Sequence, residues 1–210
     1  MDQPRTQTSR QRIIAAARAE IESKGILGLR VQDVAANGKV SVPLIYKYFN
    51  DRDGLLTEVL GEMFEEFVME QIDASEAYFY ALSNPSVDDL IAVLTLPQQD
   101  FRRPRRWFRV QILAASMEIP LLRARLRVVQ MAIQDRLTTL LDDVQVRITG
   151  GHRPVSSAAL ALLIQTYAHG FVLNDLLEEE GVGVTNEDFS SLMRVLLQAA
   201  IFDAKVPSLD

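Results

Sequence analysis

The stretch Val31-Gln32-Asp33-Val34-Ala35-Ala36-Asn37-Gly38-Lys39-Val40-Ser41-Val42-Pro43-Leu44-Ile45-Tyr46-Lys47-Tyr48-Phe49 decides how the chain folds. Val31, Val34 and Ala35 recur at helical spacing, and Gly38 closes that run. Ser41 then has the character of an N-cap, because its hydroxyl can accept a free amide of the next turn. Pro43 falls in that first turn, where a missing N–H costs nothing. A second helix is therefore expected over Val42 to Phe49. Neither helix is long enough to be stable alone, so each must be packed against the other across the tight turn Gly38-Lys39-Val40. Ala35 is small where two crossing helices touch, and Val40 and Ile45 can fill the corner. This is the helix-turn-helix layout, in which the second helix enters the major groove of DNA.

Helical spacing continues on both sides. A first helix is expected from about Ser9 to Ser23, burying Ile13, Ile14, Ala17 and Ile21 and stopped by Gly25. Asp51 caps a fourth, whose stripe Leu55, Leu56, Val59, Leu60, Met63, Phe64, Phe67 and Val68 can persist to Leu82. Asn84-Pro85 breaks it, and Ser86 caps a short helix to about Leu94. Pro97 interrupts again, a helix covers about Phe101 to Met117, and Pro120 opens a long one ending near Gly150-Gly151. Pro154 and Ser156 open another to about Glu180, and Asn186 caps a last one through Phe202. No alternation of the β type has useful length. The expected fold is all-α, with about nine helices: a DNA-binding domain over residues 1–54 and a helical ligand-binding and dimerisation domain over 55–210.

On the second short helix the outward face is Val42, Pro43, Leu44, Tyr46, Lys47 and Tyr48. Lys47 can neutralise a phosphate, the tyrosine hydroxyls can donate to phosphate oxygens, and Val42 and Leu44 can meet thymine methyl groups. Arg52 lies in the first turn of a helix, where its charge opposes the helix dipole, so it reads better as a phosphate ligand than as a stabiliser. Taken singly, Tyr46 or Lys47 reads equally well as an ordinary surface residue; the order of caps, turn and aromatic-basic face favours DNA.

From Arg12-Ile13-Ile14-Ala15-Ala16-Ala17 through Gly25, Val34-Ala35, Val40-Ser41, Ile45-Tyr46-Lys47-Tyr48-Phe49 and Asp51-Arg52-Asp53-Gly54-Leu55-Leu56, the chain resembles the TetR family of bacterial regulators. The resemblance covers about residues 9–60. It implies base-facing roles for Pro43, Leu44 and Tyr46 and phosphate-facing roles for Lys47, Tyr48 and Arg52; Arg30, Lys39, Ser41 and Val42 complete the expected DNA-binding set. Three positions depart from the family pattern. Lys39 stands where the family usually has Gly, and a positive φ there would cost roughly 1 kcal/mol, so a reshaped turn is an open alternative. Arg30 replaces a Thr that often begins the second helix, and Leu44 replaces a frequent Thr.

Charge is unevenly spread. Residues 1–54 hold nine Lys and Arg against six Asp and Glu, while the rest holds thirteen against twenty-two, within a net charge of −6. A basic head on an acidic body suits a protein that meets phosphate at one end. No Cys and only two His exclude thiolate metal sites and make zinc or triad catalysis a poor reading. No glycine loop for phosphate and no nucleophile elbow occurs, so neither an enzyme nor a cofactor is expected. Without a signal-type segment or a run of ~18 consecutive apolar residues, a cytoplasmic location with no membrane partner is expected.

Beyond residue 60 the resemblance thins to Glu118-Ile119-Pro120-Leu121-Leu122-Arg123 and to Ala158–Leu173. It implies a homodimer through the last two long helices, at about 155–180 and 186–203. Ala158, Ala159, Ala161, Leu162, Ala168 and Gly170 permit close approach, and Leu192, Val195, Leu196 and Ala199 form an apolar stripe; the other reading of both is plain internal core. Candidate pocket residues are Phe64, Phe67, Trp107, Gln111, Met117, Met131, Tyr167, His169 and Phe171, all of which also suit a core. Arg102, Arg103, Arg105, Arg106 and Arg109 crowd into one short run. They read as a solvated face, as a seat for a ligand's carboxylate or phosphate, or as an auxiliary DNA or protein contact. The leading expectation is a repressor released from an inverted-repeat operator on double-stranded DNA by a small-molecule effector. The others are an effector-independent architectural or cell-division factor of the same fold, and an all-helical enzyme or carrier.

Overall fold

A computed structural model describes residues 8–94, 102–153 and 155–203, and these are helical with no strand among them. Pro97, Phe101 and Pro154, expected to shape helix boundaries, lie outside the described residues. The chain divides into two compact units. One comprises the described part of Met1–Glu66 with Gln111–Val129, the other the described part of Phe67–Val110 with Gln130–Asp210.

The first unit begins with α1 (Ser9–Gly28), α2 (Val31–Asn37), α3 (Val42–Phe49) and the start of α4 (Arg52–Ala81). Thr8 and Gln11 close a reciprocal capping box at the start of α1, satisfying two amides that a helix start leaves free. Gly25 kinks α1 at φ 76°, so the regular helix ends where Gly was expected to stop it, and one further turn follows. Ile13, Ala17, Ile21, Val34, Ile45, Leu55, Leu56 and Leu60 are all fully buried. Ile14, expected among them, is only half-buried.

The turn between α2 and α3 keeps its standard shape despite its residues. Val40 N–H donates to Ala35 O at 3.0 Å and Lys39 N–H to Ala36 O at 3.2 Å, the paired bonds of a Schellman ending. Lys39 holds the left-handed position at φ 51°, where Gly is usual and Lys costs roughly 1 kcal/mol. The reshaped turn is therefore not what forms. Gly38 is itself right-handed helical; a Cβ there would lie 3.0 Å from Val34 O and 3.4 Å from Arg12 O. Its smallness allows α2 to close against α1, and its conformational freedom is not used. Between α3 and α4, Asn50 takes φ 70° and Asp51 caps α4 by accepting from Gly54 N at 2.7 Å. A Cβ on Gly54 would lie 1.9 Å from Phe49 O.

The second unit contains α5 (Val87–Leu94), α8 (Ser157–Gly170), α9 (Val172–Glu179), α10 (Asn186–Gln198) and a closing π-turn (Ala199–Asp203). α6 (Arg103–Glu118) and α7 (Pro120–Thr149) contribute residues to both units. Phe79, Leu90, Ile91, Leu140, Leu141, Val144, Leu160, Met193 and Leu197 form its core. Ser86 caps α5 as expected, accepting from Asp89 N. Two boundaries differ from the expectation. The helix expected to run to Glu180 is interrupted at Phe171 and resumes as α9. Thr185, not Asn186, caps α10, accepting from Asp188 N at 3.1 Å, because a cap must precede the first helical residue. The stretch Ser157–Glu178 is long and apolar enough, at a hydropathy of 1.2, to cross a membrane by length and composition alone. It also carries Asp175, fully buried and paired with Arg106, so part of the polar interior is built from it.

Two glycine substitutions separate steric need from helix propensity. Gly54→Ala should cost several kcal/mol, on the order of 3, because the new methyl meets backbone. Gly170→Ala, with nothing within 4 Å of its added Cβ, should be neutral or stabilising by up to about 1 kcal/mol. Denaturant melts of the two variants check both signs.

Candidate DNA interface and sensor cleft

The recognition surface is assembled by packing one face of a very short helix. Ile45 and Phe49 are the buried residues of α3, which turns the opposite side outward. Ser41 accepts from Leu44 N at 3.4 Å and fixes where α3 starts. Pro43, Tyr46, Lys47 and Tyr48 are exposed, and Val42 and Leu44 are half-buried. Arg30 and Lys39 are exposed at the N-cap of α2 and in the turn. These residues therefore share one unit with the two short helices. They present one lysine, two phenol hydroxyls and several apolar groups, a mixture suited to phosphate, sugar and base edges.

Arg52 also makes contacts within the unit that its place in the sequence does not suggest. Its Nε donates to Leu29 O at 3.4 Å and its Nη2 to Ile26 O at 3.3 Å. It ties the start of α4 to the segment that follows the kink in α1. This explains a cation at a helix start: the guanidinium satisfies carbonyls left over where α1 ends, an outlet that its position in the sequence does not reveal. Sequence reasoning also missed the support beneath α2. Glu20, 6% exposed, accepts from Asn37 Nδ2 at 2.6 Å and pairs with Lys24 Nζ at 2.6 Å, and Lys24 reaches Asp33 at 2.9 Å. Those partners hold the Lys24 ammonium above its ordinary pKa.

The expected pocket residues are divided between the two units. Phe64 is fully buried among core side chains of the first unit. Gln111, Met117 and Met131 are exposed, so they line no interior of this chain. Tyr167 stacks on Phe189 with centroids 4.1 Å apart. His169 donates from Nδ1 to Gln165 O at 2.7 Å; burial, then the nearby Arg109 charge, push its pKa down. Trp107 is half-buried.

The arginine run, by contrast, is folded inward. Phe67, Gln71, Arg102, Arg105, Arg106 and Arg109 line a cleft of the second unit. Arg106 and Asp175 form a buried, two-point ion pair, with the Arg106 guanidinium 5.1 Å from the Phe171 ring centre. Arg103 Nη2 donates to Asp175 O at 2.8 Å. Arg105 pairs with Glu70 at 2.7 Å and lies 5.3 Å from the Phe67 ring centre. Phe67 and Phe171 thus sit where expected only as faces on which arginines stack. The reading of the whole run as a solvated face does not hold for Arg106 and Arg109, which are 3% and 6% exposed.

On the outer sides of α8 and α10, Leu162, Leu163, Leu192, Val195 and Leu196 are each more than half exposed, and Ala158, Ala159 and Ala199 are exposed with them. Ala161 and Ala168, expected at the same surface, are buried in this chain's own packing.

Comparison with known proteins agrees with this architecture. Residues 13–59 match the family model of bacterial regulatory proteins, tetR family. No curated protein matches the chain. Among solved structures, a TetR-family transcriptional regulator from a Rhodococcus species superimposes with a TM-score of 0.61 at 24% identity, covering 92% of this chain and 98% of that one. The multidrug binding protein EbrR, complexed with imidazole, gives 0.63 at 20% identity over 97% and 99%. The regulator FadR from Bacillus subtilis, in complex with stearoyl-CoA, gives 0.55 at 14% identity over 93% and 99%. Residues 13–59 thus match the model of the tetR family of bacterial regulatory proteins, and the fold of the chain is the all-helical fold of these solved structures.

Proposed function

We propose that the protein is an effector-responsive transcriptional regulator that acts in the cytoplasm as a homodimer on an inverted-repeat operator. The observation that carries this reading is the α3 surface: a helix too short to stand alone, capped by Ser41 and anchored by Ile45 and Phe49, presents Tyr46, Lys47 and Tyr48 outward within the segment that matches the family. Residues 1–54 bind DNA, and residues 55–210 bind the effector and the second subunit. Support for the dimer comes from the leucine- and valine-rich surfaces of α8 and α10, whose exposure a single subunit does not relieve. Support for an effector comes from the imidazole and stearoyl-CoA complexes of proteins with the same fold. A two-fold protein reads a two-fold site, so the two α3 helices address half-sites about one helical turn, or a multiple of it, apart. The effector acts by favouring the arrangement in which that spacing is lost.

Three outcomes are expected. Selection from a random DNA pool should return an inverted repeat, and sedimentation at micromolar concentration should show a dimer; a selected site without dyad symmetry would count against the reading. Lys47→Ala should weaken operator and scrambled DNA alike and leave the melting temperature unchanged. It should also shallow the salt slope by about one unit for each phosphate left without its lysine in a half-site. Arg52→Ala should instead lower stability by about 1 kcal/mol, since it frees two carbonyls from the guanidinium. Salt titrations and melts of both variants separate the charge on the recognition helix from the brace behind it.

A further inference from the structure

Among the described residues of the second unit, the buried arginines are not all matched by an acid. Arg106 has Asp175, and Arg105 has Glu70. Among the described residues Arg109 has no carboxylate: its Nη2 donates to Ala168 O at 3.1 Å, and its Nε, buried, has no hydrogen-bond partner there. Arg109 nonetheless lines the cleft with Arg102, Arg105, Arg106, Phe67 and Gln71. The cavity among them measures about 20 Å3, room for one water-sized group. Burial first, then the Arg106 and Arg102 charges, lower the Arg109 pKa to about 10, so at neutral pH it remains a charged guanidinium in an unfavourable place. Buried guanidiniums ordinarily have an acid partner, because desolvating one without compensation is strongly unfavourable. A carboxylate or phosphate entering the cleft would supply the missing acceptor, and the Gln71 amide can donate to the same oxygens.

We propose that this cleft is an acid-binding subsite: it holds the carboxylate or phosphate of the effector against Arg109, with Gln71 and Arg105 at its rim. The assignment deepens the regulator reading and rests on it only for the word effector; the anion site stands or falls by itself. Arg109 carries the site because every other strongly buried arginine of the cleft already has an acid. The rings of Phe67 and Phe171 lie under the Arg105 and Arg106 guanidiniums beside it, and the side chains at the open rim have to part for the anion to enter.

The test uses the full chain in chloride buffer at constant ionic strength. Inorganic phosphate, benzoate and neutral benzamide are titrated separately, followed by calorimetry and thermal melting. Binding by phosphate or by benzoate, with a rise in melting temperature of several degrees at saturation and none from benzamide, is expected; whichever anion binds more tightly names the acid. Arg109→Met should weaken that binding by about ten- to a hundredfold, the worth of a charged hydrogen bond, while raising the melting temperature without anion, because it removes the uncompensated charge. A wild-type protein that does not distinguish phosphate and benzoate from chloride and benzamide overturns the site, whether or not the variant folds. So does an Arg109→Met protein that binds the anion as wild type does. The same anions are then added to the complex with the selected operator: release supports the effector assignment, and tight anion binding without release overturns that assignment while leaving the subsite. Failure of the chain to bind any DNA would instead overturn the regulator reading.

Discussion

An eight-residue helix cannot hold itself together in water, and the surface proposed to read DNA depends on one. α3 owes its existence to Ile45 and Phe49 being buried and to the turns at either end being closed. Those turns rely on backbone meeting backbone. Gly38 lets the end of α2 approach α1, and Gly54 lets the start of α4 approach the end of α3. The outward set of residues 43, 46, 47 and 48 is then a consequence, since a helix with one buried face has no choice about what it shows. The composition of that surface is thus secured by constraints inside the unit. Lys39 occupies a left-handed position that Gly would fill without strain. Lys there costs roughly 1 kcal/mol of stability.

The second unit solves a different problem. Its arginines are sequestered, and a buried guanidinium is tolerated only when its five donors and its charge are answered. Asp175 answers for Arg106, receiving two donors while its backbone carbonyl takes a third from Arg103. That acid lies on α9, just beyond the interruption at Phe171. The interruption and the ion pair belong together: Phe171 is the ring under Arg106, so the residue at the helix break and the acid one turn later address the same guanidinium. Gln145, fully buried, is handled in the same way, donating to Ser157 at 2.7 Å and accepting from Val155 N at 3.3 Å.

The features legible in the sequence were those governed by near neighbours. Caps at Ser41, Asp51 and Ser86, the Gly25 stop and the span of α3 follow from residues within a turn of one another. Features set by distant partners were not legible. Nothing near Arg52 in the sequence shows that the carbonyls of Ile26 and Leu29 accept from it. Glu20 carries no local sign that Asn37, seventeen residues on, donates to it. Aromatic and Met residues at helical spacing carry no mark of whether they face a cavity, a core or solvent. Phe64, Phe67 and Met131 accordingly ended in three different places. The arginine run was legible as unusual and illegible in direction, because which of five adjacent arginines turns inward depends on where Asp175 and Phe171 arrive in space.

These two economies set bounds on how the molecule can switch. Moving a two-state equilibrium from 1:99 to 99:1 requires a ligand to prefer one state by about 10,000-fold. A neutral ligand would have to find that preference in shape alone. An anion meeting Arg109 has a further source, because the cost of the uncompensated charge is present before binding and removed by it. Each charged hydrogen bond formed contributes about 1.5–3 kcal/mol, so two or three of them reach the required difference if the competing state withdraws the donors. Withdrawal does not demand a large movement: a charged hydrogen bond fails within about an ångström of misplacement, and the neighbours that position Arg109 lie on α6 and α8. The reciprocal must also hold. Whatever factor the anion imposes on DNA affinity, DNA imposes on anion affinity, which makes the acid's apparent affinity with and without operator a direct reading of how strongly the two units are coupled.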